Sequence, residues 1–217
     1  MIMAKTPQEA INIVKGESIY LEDDRFYWVE KEKRLVRVLK PRDINSIQKI
    51  LEDGEFPAKY IKAVLSKEKQ KTKALELIKK EKDAQGLILS GKAGIGKTFA
   101  TIYKIAQLVY THKINNPLYI TFQDFDVKKE QDNKRLSKYD CFLIDDLNPN
   151  INSWEKKFAT EIIYHAYNNE KLIFITTNAG IKDFFNFIKE EPVISRLLET
   201  CKTLEVNETK DLRLQRR

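Results

Sequence analysis

The chain has 217 residues, with 39 Lys and Arg against 32 Asp and Glu for a formal charge of +7, and is 42% hydrophobic and 33% charged. That length and balance fit one medium domain plus a small appendage with a sizeable core. They exclude a membrane-spanning helix, since no apolar run approaches the roughly 20 residues needed to cross a bilayer. The opening Met1-Ile2-Met3-Ala4-Lys5-Thr6-Pro7 lacks an apolar signal core, so the expected location is cytoplasmic. Cys141 and Cys201 sit in apolar, strand-like runs and are expected to be core thiols, not a disulfide framework or a metal site. The basic excess favours a polyanionic partner, although lysine-rich solvated helices give the same balance.

Along the chain, Phe26–Val29 and Leu35–Leu39 read as two strands of a small hairpin between residues 19 and 39. Asp43 is placed to cap a helix carrying Ile44, Ile47, Ile50 and Leu51, which Gly54 stops. A helical stretch follows Phe56-Pro57, and a lysine-rich segment continues it to Ala84 with a break near Ser66. Residues 1–55 form the expected accessory amino-terminal module, α+β in character and suited to binding a partner. Residues 56–217 form the main domain. From Gly86 the pattern alternates. Strands are expected at Leu87–Leu89, Leu118–Phe122, Cys141–Ile144, Leu172–Thr176 and Lys202–Val206. Helices are expected at Phe99–Thr111, Trp154–Asn168, Ile181–Ile188 and Val193–Glu199. Short, almost wholly apolar strands between helices predict an α/β fold, a mostly parallel five-stranded sheet covered on both faces.

The first strand runs directly into Gly91-Lys92-Ala93-Gly94-Ile95-Gly96-Lys97-Thr98, the pattern G-x-x-x-x-G-K-[ST] between strand and helix. Its glycines allow main-chain amides to face phosphates, and the helix that follows adds its positive end. Lys97 is expected to reach the β- and γ-phosphates, and Thr98 to offer its hydroxyl to Mg2+. Cys141-Phe142-Leu143-Ile144-Asp145-Asp146 is an apolar strand ending in two carboxylates. Asp145 is expected to orient the metal and Asp146 to draw a proton from the attacking water; the alternative is a turn cap and a solvated acid. Asn178, after Leu172–Thr177, either hydrogen-bonds the water or terminal phosphate or simply forms a turn. Arg196, on an expected helix, either reaches the γ-phosphate of a neighbouring subunit or makes a surface salt bridge.

Together GKAGIGKT at 91–98, CFLIDDL at 141–147, IFITTN at 173–178 and VISRLLE at 193–199 resemble the AAA+ ATPases of the replicative helicase loader group and the related helpers of IS21-type transposases. The resemblance spans roughly residues 59 to 206. It implies an AAA+ P-loop NTPase core that uses ATP and Mg2+, with Asp145 as the metal carboxylate and Asp146 as the catalytic acid. It makes Asn178 the first nucleotide sensor and Arg196 the finger completing the next subunit's site. Implied partners are a replicative hexameric helicase, single-stranded DNA and further copies of the chain joined through nucleotide, with no membrane. The implied function is ATP-dependent loading of that helicase onto single-stranded DNA. A transposase helper, or a nucleotide-gated adaptor with negligible hydrolysis, are the alternatives. The sequence departs from the resemblance in the short span from Gln123 to Tyr139, in Asn148-Pro149 after the carboxylate strand, and in Thr209-Lys210-Asp211-Leu212-Arg213 near the end. Lys128, Lys129, Lys134 and Lys138 are candidate DNA contacts or a solvated rim.

Overall fold

The computed structural model describes residues 3–23, 25–66, 71–81, 86–122 and 136–208. Lys128, Lys129, Lys134 and the stretch 209–213 lie outside them. Helix α1 (Pro7–Val14) opens the amino-terminal region; the Thr6 hydroxyl accepts from the Glu9 amide, and Pro7 starts the first turn, where its missing N–H costs nothing. Strands β1 (Ser18–Glu22), β2 (Phe26–Lys31) and β3 (Arg34–Leu39) form an antiparallel sheet in that order. The expected hairpin is β2–β3. Helix α1 and the third strand, β1, are additions to that expectation; β1 has no alternation of burial, since all its residues but Ile19 are exposed.

Asp43 caps α2 (Ile44–Asp53) by accepting from the Ser46 amide, as expected, and Gly54 ends the helix. The chain continues through α3 (Ala58–Leu65), which stops at Ser66, and α4 (Lys73–Lys80), capped by Thr72. The main layer consists of β4 (Gly86–Ser90), α5 (Lys97–Tyr110), β5 (Pro117–Thr121), β6 (Cys141–Asp145), α6 (Ser153–Asn168), β7 (Leu172–Thr177), α7 (Ile181–Ile188), α8 (Glu191–Thr200) and β8 (Cys201–Glu205). Its five strands lie in the order β5-β6-β7-β4-β8 and every pairing is parallel. This is the expected covered sheet.

Period-two alternation divides the side chains between two cores. Leu87, Leu89, Leu143 and Phe174 face one side, with Ile102 and Ile105 of α5 and with Leu75 and Ile78 of α4. Ile88, Phe142, Ile144, Ile173 and Ile175 face the other, against Phe158 and Ile162 of α6, Phe184 of α7 and Leu197 of α8. Cys141 and Cys201 are both buried, and burial pushes both thiols upward, so they are apolar filling.

The antiparallel sheet has its own small core of Ala4, Ala10, Val14, Tyr27, Val29 and Val38. Helix α2 packs elsewhere: Ile47 and Leu51 belong to the same cluster as Phe99 and Ile102. The junction is polar. Arg42 donates to the carbonyl of Val109, in the last turn of α5, and to that of Ile114 beyond the helix, and His112 Nε2 lies 2.8 Å from the Lys40 carbonyl. No helix among the described residues is long and apolar enough to cross a membrane.

Candidate nucleotide site

The phosphate loop leaves β4 at its carboxyl end and needs its glycines. Gly91, Gly94 and Gly96 have φ of 143°, 78° and 88°, a region that side chains resist. At Gly91 a Cβ would also lie 2.7 Å from the Val206 carbonyl oxygen. The loop delivers Lys97 and Thr98 to the first turn of α5.

Strand parity decides what meets them. On β6, Cys141, Leu143 and Asp145 share the face toward α5. On β7, Phe174 and Thr176 share it, and on β5, Tyr119 does. Asp145 is therefore aimed at the start of α5. Its Oδ1 accepts from Thr98 Oγ1 at 2.8 Å and from Thr176 Oγ1 at 2.6 Å, and its Oδ2 accepts from the Tyr119 hydroxyl at 2.7 Å. Only 8% of Asp145 is exposed, and its carboxylate is bound by hydroxyls instead of capping a turn. Burial first, then the Asp145 charge, pushes the Tyr119 phenol far above its ordinary range, so it remains a donor.

A second chain of hydrogen bonds runs beside the first. Lys97, 6% exposed, donates to the carbonyls of Gly91 and Lys92 at 2.7 and 2.8 Å and to Asn178 Oδ1 at 2.8 Å. Asn178 Nδ2 donates to Asp146 Oδ1, as does Asn148 Nδ2, each at 2.5 Å. Asn148 Oδ1 in turn accepts from the Asn178 amide at 2.6 Å and from Thr177 Oγ1 at 3.1 Å. Asp146 has a left-handed backbone, φ 59°, which an Asp tolerates better than most residues. Its amide donates to Thr176 Oγ1 at 2.9 Å, joining the two chains.

Five of the residues singled out by sequence, Lys97, Thr98, Asp145, Asp146 and Asn178, thus converge at one edge of the sheet. Strands β4 and β6 are not neighbours. Strand β7 lies between them, which is why Asn178 bridges Lys97 to Asp146. Arg196 lies apart on α8. Its guanidinium sits 4.8 and 5.0 Å from the ring centres of Tyr164 and Tyr167, and Nη1 donates to the Pro192 carbonyl. Sequence reasoning missed Tyr119, Thr176 and Asn148 as partners of the acids. Parity along β5 and β7 was the available signal for the first two. Asn148 shows only as the polar residue after the carboxylate strand. A donor set of one hydroxyl and one carboxylate is hard oxygen, the chemistry Mg2+ prefers, so Thr98 and Asp145 fit that ion.

No family model matches this sequence, and no curated protein matches it. Solved structures do. The crystal structure of the DnaC helicase loader is 22% identical, covering 70% of this chain and all of that one, at a TM-score of 0.55. A candidate primosome component from Streptococcus pyogenes serotype M3 is 17% identical, covering 78% of this chain and 99% of that one, at 0.50. At such identities the likeness is one of fold. What this chain shares with them is a parallel α/β fold, to which it adds a small antiparallel sheet at its amino-terminal end.

Proposed function

We propose that this chain is a Mg2+-dependent ATPase that loads a replicative DNA helicase onto single-stranded DNA, with nucleotide state switching its assembly and its grip on partners. The observation that carries the reading is the convergence of Lys97, Thr98, Asp145, Asp146 and Asn178 on one strand-end edge. Gly91 to Gly96 supply the phosphate cradle. Lys97 exchanges its carbonyl partners for β- and γ-phosphate oxygens, a charge-assisted replacement. Thr98 and Asp145 would hold magnesium, which would supply neutralisation of the polyphosphate charge. Among the described residues both amide donors to Asp146 use Oδ1, which leaves Oδ2 to accept a proton from the attacking water. Asn178, already bonded to both Lys97 and Asp146, relays the position of the γ-phosphate to that acid. Arg196 acts on the nucleotide of an adjoining copy, so hydrolysis follows self-association.

The amino-terminal module, residues 1–55 with the antiparallel sheet as its outermost part, takes the partner-binding role, and the work is cytoplasmic. The test combines the purified chain with its replicative helicase, single-stranded DNA, and ATP or a non-hydrolysed analogue. An ATP-dependent complex containing both helicase and single-stranded DNA is the expected result. Preference for duplex DNA without helicase binding would indicate a transposase helper instead. ATP-dependent assembly without hydrolysis under any condition would indicate an adaptor.

A further inference from the structure

Both oxygens of the Asp145 carboxylate are engaged, by different groups. Oδ1 is shared by Thr98, itself assigned to the metal, and by Thr176. Among the described residues Oδ2 takes its hydrogen bond from Tyr119 alone, at 2.7 Å. A carboxylate fixed through one oxygen can still rotate about its final bond; one fixed through both has a set plane. Orientation of this kind, by a group that does not itself touch the ion, governs how well a ligand set binds its metal.

Tyr119 is in turn held from outside the sheet. Strand β5 is an edge strand, and the Tyr119 amide donates to the Gly54 carbonyl at 2.9 Å. The Phe56 ring, 4% exposed, packs on the Tyr119 ring with centroids 5.6 Å apart and planes at 51°. Gly54 must be glycine for this approach, since a Cβ there would sit 2.2 Å from the Pro117 carbonyl oxygen. The corner between α2 and α3 therefore presses on the residue that touches the acid.

We propose that Tyr119 is a positioning residue for the metal site: its hydroxyl sets the plane of Asp145, and the α2–α3 corner holds the hydroxyl in place. The inference rests on the nucleotide reading given above and adds the element by which the amino-terminal side of the chain contacts the metal carboxylate. Movement of that corner on partner binding would then be felt as a change in metal affinity.

The test is Tyr119→Phe, which keeps the ring against Phe56 and removes only the donor. Binding of a fluorescent, non-hydrolysed ATP analogue is titrated with Mg2+, and Mn2+ binding is followed by electron paramagnetic resonance. The metal midpoint should rise about 10-fold, while analogue affinity in EDTA stays at the wild-type value. A merely structural role would lower the unfolding midpoint or the EDTA affinity without moving the metal midpoint. Identical metal midpoints in variant and wild type overturn the assignment to Tyr119 and leave the nucleotide reading standing. A wild-type chain that binds the analogue neither with nor without divalent ion overturns both.

Discussion

The two sheets of this molecule use their strands in opposite ways. In the parallel sheet, β4 and β6 are buried throughout and both faces are covered, so polar chemistry appears only where strands end. In the antiparallel sheet one face packs on α1 and, among the described residues, the other stays open. Leu21 is 52% and Leu35 47% exposed, and Arg37 lies over Phe26 and Trp28. A fully covered sheet concentrates function at its rim, because any charge within it would be desolvated without compensation. A half-covered sheet spreads its outward side chains over a surface and keeps little core beneath them.

That contrast predicts graded responses. The largest is catalytic. Asp146→Asn keeps an acceptor for Asn178 and Asn148 yet removes the proposed base, so turnover should fall about 10²- to 10⁴-fold with analogue affinity retained, as read by steady-state hydrolysis beside a binding titration. Next, Phe174→Ala empties the centre of the covered sheet and should cost about 3–5 kcal/mol in urea unfolding. Leu21→Ser on the open face should stay within about 0.5 kcal/mol. Equal losses at the two positions would erase the distinction. Lys97→Ala should weaken ATP-analogue binding by about 10- to 100-fold, the worth of a hydrogen bond to a charged group.

Smallest is a pH effect at the junction of the two regions. Burial holds the His112 imidazole below its ordinary value, against the opposing pull of the Lys40 carbonyl. A histidine depressed in the folded state contributes stability above its unfolded pKa, about 6.5, and loses it as pH falls from there through the lower folded value. The stability advantage of wild type over His112→Gln should therefore shrink on acidification through that window, measured by urea unfolding at each pH. An advantage constant with pH would remove His112 as the titrating group.

How much of this was legible follows from the range of each interaction. The glycine loop, the apolar strands and the Asp43 cap depend on residues within a few positions of one another, and they appear where sequence puts them. Helix α7 occupies its expected span, Ile181–Ile188, because its apolar residues recur at helical spacing. Strand β1 was not legible, since an exposed edge strand carries little hydrophobic pattern and gains its conformation from pairing with β2. Nor was the hold that Arg42 has on the end of α5, a bond between residues 67 positions apart.

The sequence by itself determined the elements of the sheet and the chemistry at their ends: an ammonium, a hydroxyl, two carboxylates and an amide on defined strand or helix termini. Tertiary structure alone decided strand order, which inserts β7 between the glycine strand and the acidic strand and so makes Asn178 the bridge between Lys97 and Asp146. It also decided which hydroxyls reach Asp145. The physical reason is that local periodicity fixes which face a side chain takes, whereas the neighbour it meets there depends on pairings between segments far apart in the chain.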